Sequence, residues 1–224
     1  MQNKLGAQGR CLELHILFPA DRIGRIDPIF STSTNTANMS YCTAIQNMNG
    51  DIRKLHANYH DNHYGFAIHD DNELFGRLLL EINQAGLSWE LMLKKEATFR
   101  KAYHNFNVKK VAGYTEKDRE RLMTDPGIIR NRLKINAAIE NAKTILQLQK
   151  EHGSFEKWLT IHHPLTKNEW IKVFKKTFKF TGGEIVNEFL MSIGYLPGAH
   201  DESCPVYKKL LRLKPMWKSA TLKS

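Results

Sequence analysis

From Asp70 to near the C-terminus, apolar residues recur every three or four positions, with no strand-like alternation between them. That period builds helices. In "DDNELFGRLLLEINQAG", Leu74, Leu78, Ile82 and Ala85 fall on one stripe, and Asp70 with Glu73 reads as a capping-box pair at its start. "SWELMLKKEATFRKAYHNF" follows, with Leu93, Phe99, Tyr103 and Phe106 on one side. "TEKDRERLMTD" reads as a short capped helix, "DPGIIRNR" as a turn, and "RLKINAAIENAKTILQLQKEHG" as a long helix stopped by Gly153. "SFEKWLTI", "EWIKVFKKTF" and "GEIVNEFLMSIG" complete the set. The Asn-Gly step at Asn49 lies before this region, so no hairpin signal interrupts it. The expectation is one all-α domain over residues 39–224, without internal repeats.

Residues 1–38 differ. They hold one short apolar run, "LELHILF", then the polar "STSTNTAN", and Met39 follows. The run is interrupted by His15, unlike a secretory core, and the segment is too acidic for a mitochondrial presequence. It reads as a disordered extension, or as translation from a start codon placed too far upstream. No stretch of 18 apolar residues occurs, so no membrane span is expected. The formal net charge is +10, nearly all of it beyond residue 38. That balance favours a polyanionic partner, nucleic acid before membrane, over a merely solvated basic surface. Cys11, Cys42 and Cys204 are too few and too dispersed for a disulfide framework, which points to a reducing compartment.

Four stretches have chemistry to offer. His200 and Cys204 have the spacing that puts two soft ligand atoms on one face of a helical turn. With Cys42 and His60 they make a Cys2His2 set suited to zinc; the alternative is two small buried thiols and surface histidines. Glu81 shares the stripe of Leu74 and Leu78, where a carboxylate is costly unless a cation or donors meet it. Either a Lys or Arg pairs with it inside, or its partner arrives as substrate. In "QAGLSW", Gly86 ends a helix and Ser88 caps the next. Leu87 then sits at a corner from which it can wedge into a base stack, and Trp89 can stack on a base. Core packing is the other fate open to both. "MTDPGIIRNRLKI" sets a Pro-Gly turn between two helices, the second bearing Arg130, Arg132 and Lys134. With its amides pointing outward it reads as a phosphate-binding hairpin, or as a hairpin with a solvated basic face.

Together these stretches resemble the DNA-3-methyladenine glycosylase I family of the helix-hairpin-helix DNA glycosylases. The likeness rests on "YHDNHYG" (59–65), "LLLEINQAGLSW" (78–89), "LKK" (93–95), "DPGIIRNRLKINAAIENA" (125–142), "FKFTGGEI" (178–185) and "HDESC" (200–204). It runs in order over about residues 40–204. The resemblance implies an all-α glycosylase fold around a base pocket. It implies a structural zinc on Cys42, His60, His200 and Cys204, clasping the two ends of the domain. Glu81, Tyr59 and Trp89 would contact the base, Leu87 would intercalate, and the hairpin from Gly127 through Arg130 to Lys134 would bind phosphate. The implied activity is monofunctional hydrolysis of the N-glycosidic bond of N3-methylated purines such as 3-methyladenine in double-stranded DNA. The implied setting is a monomer on DNA in the cytoplasm, away from membranes.

The chain departs from the family at Ala44, where a tryptophan is usual, at His56, where an aromatic is common, and at His63 and Tyr64, where the family has Glu-Trp. The hairpin has one glycine, Gly127, where many have two. These changes bear on the pocket lining and on the bases that fit. A purine methylated at N3 is cationic, which already weakens its bond to the sugar, so extracting and holding the base is the main task. A carboxylate on an apolar wall selects such a base, and aromatic faces add cation–π attraction. Two rivals stay open: a non-catalytic zinc-stapled DNA-binding module, and a zinc hydrolase, which needs an open coordination position that a Cys2His2 set lacks.

Overall fold

Each helical period becomes a helix in the computed structural model, which describes residues 39–219. The expectation for residues 1–38 lies outside the described residues. Among these there are twelve helices and no strand. They are α1 (Tyr41–Gln46), α2 (Gly50–Asn62), α3 (Asp71–Gln84), α4 (Trp89–Ala102), α5 (Val108–Ala112), α6 (Glu116–Thr124), α7 (Arg132–His152), α8 (Phe155–His162), α9 (Lys167–Thr177), α10 (Gly183–Ser192), α11 (Pro205–Arg212) and α12 (Met216–Ser219).

α3 is the hub. Its stripe of Leu74, Leu78 and Ile82, with Phe75 and Leu79 beside it, is buried, and it touches α4, α5, α7, α8 and α10. Each such side chain contributes roughly 1.5–3 kcal/mol by leaving water. Gly76 lies mid-helix because Phe106 packs directly on it: a Cβ there would stand 2.3 Å from Phe106 Cδ2. An aromatic cluster of Phe155, Trp158, Phe174 and Phe178 joins α8 to α9, with ring centroids 5.3–5.9 Å apart.

The helix ends follow local chemistry. Asp70 caps α3, accepting from the Asn72 and Glu73 amides. Glu73 does not complete the expected box. Its carboxylate accepts two N–H bonds from Arg100 at 2.7 and 2.6 Å, a fork-to-carboxylate geometry stronger than a single contact to a cap amide. Gly153 ends α7 with φ 92°. Between α3 and α4 the chain turns at Gly86, with φ 81°, and Ser88 caps α4 by accepting from the Leu91 amide.

Candidate functional site: a metal cluster and an aromatic pocket

His200 and Cys204 are not on one helical turn. Residues 200–203 form a loop, and Cys204 is the N-cap of α11, with Pro205 at its first position. Proline suits the first turn of a helix and not its interior, so the helix does not reach back to His200. The loop nonetheless delivers both side chains to Cys42 on α1 and His60 on α2. The four ligand atoms lie within 4.8 Å of one another, all four residues buried. His60 Nε2 is 3.3 Å from Cys42 Sγ and 3.0 Å from His200 Nδ1, and Cys204 Sγ is 3.8 Å from each histidine nitrogen. Edges of a zinc tetrahedron with N and S ligands run about 3.3–3.8 Å.

The outer atoms fit a metal as well. Asp61 accepts from His60 Nδ1 at 2.6 Å, and the Tyr64 carbonyl accepts from His200 Nε2 at 2.8 Å. Each bond leaves the inward nitrogen free to ligate. The Asp201 amide donates to Cys42 Sγ at 3.4 Å, and Ser40 Oγ donates to Asp201. Burial pushes the Cys42 thiol up to about 12 against that amide, so a thiolate here calls for a cation. The buried Cys2His2 group can hold a metal ion.

Glu81, on α3, is 3% exposed. It lines a small pocket with Tyr41, Tyr59, Tyr64, Gln84, Trp89 and Glu188. Among the described residues its carboxylate forms no ion pair and no hydrogen bond, so the internal salt bridge open on sequence grounds is not made. Arg77 is the cation that bears on it, and that guanidinium donates to Tyr59 OH at 3.0 Å and lies 5.0 Å from the Tyr59 ring. Burial first, and then the charge of Glu188, raise the Glu81 carboxyl to about 8. The Tyr59 and Trp89 rings are 5.0 Å apart, and the buried Trp89 Nε1 has no partner. The free space is about 20 Å³, room for one water, so wall side chains must swing aside before a base can enter. A larger cavity of about 330 Å³ shares Tyr59 and Trp89 but not Glu81, and its charged lining is mixed: Asp70, Glu73 and Glu96 beside Arg77 and Arg100, with Glu73 and Glu96 already paired to Arg100.

The corner after α3 holds Leu87 outward, 38% exposed; its amide donates to the Gln84 carbonyl at 2.6 Å. The hairpin is less open than its sequence suggests. The Asn131 side chain caps α7, accepting from the Leu133 and Lys134 amides. Gly127 N–H donates to Asp125 Oδ1 at 2.7 Å, so these amides do not stand free. Arg130 precedes α7 and is exposed, and Arg132 pairs with Glu116 at 3.2 Å. Lys134 is buried. Its ammonium donates to the Asn83 and Ala85 carbonyls at 2.8 Å each, where α3 ends. The structure thus gathers Glu81, Tyr59 and Trp89 into one pocket and sets Leu87 at its corner, but turns Lys134 inward. Tyr41, Gln84 and Glu188 were missed as pocket residues, whereas the departure at Tyr64 already bore on the lining. Tyr64 and Gln84 lie inside the quoted stretches. Tyr41 OH bonds His56 Nδ1 at 2.8 Å, which puts a ring against a wall where His56 itself is a departure.

An all-helical body with an aromatic, carboxylate-bearing pocket beside an exposed corner leucine, in a basic chain, has the form of a protein that receives a base turned out of a nucleic acid. Comparison with known proteins narrows the class. The chain belongs to the methyladenine glycosylase family, whose profile matches residues 49–173. It is 36% identical over 172 residues to DNA-3-methyladenine glycosylase 1 of Escherichia coli K12, covering 68% of this chain and 91% of that protein. It is 34% identical over 172 residues to DNA-3-methyladenine glycosylase of Haemophilus influenzae, covering 68% and 92%. Among solved structures, 3-methyladenine DNA glycosylase I from Staphylococcus aureus superposes with TM-score 0.61 at 33% identity, covering 68% and 90%. A tyrosine-to-phenylalanine variant of 3-methyladenine DNA glycosylase I in complex with 3-methyladenine superposes with TM-score 0.62 at 32% identity, covering 68% and 91%.

Proposed function

We propose that this chain is a monofunctional DNA-3-methyladenine glycosylase. It draws an N3-methylated purine out of alkylated duplex DNA into the Glu81 pocket and hydrolyses the N-glycosidic bond, leaving an abasic site. The observation that carries this reading is Glu81: a buried carboxylate without a counter-ion, enclosed by aromatic rings. In the free pocket it tends to hold a proton. A cationic base restores the carboxylate and accepts its charge; a neutral base does not. Tyr59 and Trp89 supply ring faces to the cation, and the unpartnered Trp89 N–H offers a donor. Because the substrate's charge already weakens the sugar bond, holding the base in this charged, water-poor pocket is the protein's main contribution. The relatives' names support the same activity.

Leu87 fills the space the base vacates, and Arg130 meets phosphate. Lys134 acts from beneath, fixing the last α3 carbonyls on which the Leu87 corner stands. The metal is zinc in a closed, structural role: its four ligands leave no position for substrate, and it stabilises the join between α1, α2 and the 200–204 loop. The domain begins at Met39 and acts as a monomer on DNA in the cytoplasm. No described helix is long and apolar enough to cross a membrane. The deciding experiment incubates the protein with alkylated duplex DNA and measures released bases. Release of 3-methyladenine with abasic sites left behind is expected; binding with no release would establish the non-catalytic module instead.

A further inference from the structure

The base pocket holds a second carboxylate. Glu188, on α10, lines it together with Glu81 of α3. Glu188 is held at the wall: Tyr64 OH donates to its Oε2 at 3.2 Å, and Asn187 Nδ2 reaches its Oε1 at 3.5 Å. Tyr64 is itself fixed, its ring centroid 5.6 Å from those of Tyr41 and Tyr59. The charged and titratable groups around the pair are few. Tyr41, Tyr59 and Tyr64 face it from α1, α2 and the link after α2, and Arg77 bears on Glu81 while donating to Tyr59. Glu184 and Lys167 bear on Glu188 from α10 and α9, and they pair with each other at 3.6 Å. No ion pair joins Glu81 or Glu188 to a cation among the described residues. In a chain of net charge +10, two carboxylates share one aromatic pocket and no cation is placed between them. Like charges so enclosed are costly until a cation arrives.

We propose, on the base-excision reading above, that Glu188 is a specificity-determining residue: with Glu81 it fits the pocket to a purine that is cationic and bears hydrogen-bond donors on two edges, and it strengthens rejection of neutral purines. A cationic base offsets the like charges that arise when Glu81 ionises beside Glu188, whereas a neutral one of the same shape leaves them uncompensated. The pair thereby discriminates by charge more steeply than either carboxylate alone. Burial raises the proton affinity of both groups, and the charge of Glu188 raises that of Glu81 further.

The test is Glu188→Gln, which keeps the side chain's size and an oxygen to accept from Tyr64. Single-turnover excision is measured from duplexes carrying a methylated cationic purine, and from duplexes carrying hypoxanthine as a neutral purine, across pH. At the alkaline plateau, excision of the cationic base falls about tenfold, the weight of one charge-assisted contact, and its lead over hypoxanthine narrows. The acid limb of kcat/KM moves to lower pH, because Glu81 has lost a like-charged neighbour. Glu188→Asp, which keeps the charge, returns the limb towards its wild-type place. A folded Glu188→Gln protein with unchanged plateau, limb and discrimination overturns the proposal. So does a variant whose melting temperature drops while its pH profile stays put. A wild-type protein that releases no base fails at the earlier step and takes the excision reading down with it.

Discussion

Glu81 meets opposite demands from stability and function. Its carboxyl titrates near 8 in the folded protein and about 4.3 in an unfolded chain. Between those values the folded state holds a proton that the unfolded state has released. Stability therefore falls as pH rises through that window and levels off above it. Glu81→Gln removes the fall. It should come close to the wild type in stability near pH 5 and exceed it near pH 8 by on the order of a few kcal/mol. Excision by the same variant should drop about a hundredfold, the weight of roughly 2–4 kcal/mol of preorganised electrostatics. Melting and single-turnover rates on one preparation check both; an unstable yet fully active variant would make Glu81 a structural residue. In the wild type, kcat/KM should climb through pH 7, reach half of its plateau near 8 as the carboxyl ionises, and level off only above that. The burial of Glu81 was legible from its stripe. Lys134 keeps the spacing of Ala138, Asn141, Ala142 and Ile145, which are buried, but a lysine's charge alone points it to solvent, and only the α3 carbonyls it meets explain its inward turn. Glu188 was not legible, because no spacing along the chain links α10 to α3.

At the scale of elements, the α3–α4 corner and the α6–α7 hairpin behave as one piece. Lys134, rooted in α7, bonds the carbonyls that close α3, the end of the helix dipole that attracts a cation. Lys134→Ala should cost about 1–3 kcal/mol in stability by leaving two inward carbonyls without their donor. It should slow excision by loosening Leu87, while the dependence of DNA binding on salt stays as it was. Arg130→Ala should do the reverse, leaving melting unchanged and reducing the slope of log K against log salt by about 1. Salt titrations of the two variants distinguish a residue that shapes the corner from one that meets phosphate. Helix starts and stops were largely legible, because Asp70, Ser88, Gly86 and Gly153 act through contacts a few residues long. There are two exceptions. Glu73 left its capping box for Arg100 on another helix, and His200 and Cys204 meet through a loop that Pro205 imposes. For Glu73 a partner distant in sequence decided the outcome, and for His200 and Cys204 the adjoining proline did.

For the whole molecule, the metal cluster and the charge set the terms. Cys204→Ser should lose the metal. Structural zinc supplies on the order of 10 kcal/mol, comparable with the ~5–15 kcal/mol by which a domain is stable at all. The variant should thus be largely unfolded, and metal analysis with circular dichroism checks it. Full metal content with unchanged melting would remove the clasp. A chain starting at Met39 should fold and excise like the full-length protein; if it unfolds, residues 1–38 are structural. The all-α class was legible because helical period is a local property, whereas the pocket draws on α1, α2, α3, α4 and α10 and exists only once they pack. The cluster also has a consequence for synthesis. Cys42 and His200 are 158 residues apart, and ribosomes add about 5–20 residues per second. For on the order of ten seconds or more after it is made, the first half of the cluster therefore waits for the second, its thiol still open to oxidants and to other metals. Each newborn chain must cross that interval before its two ends can be locked together.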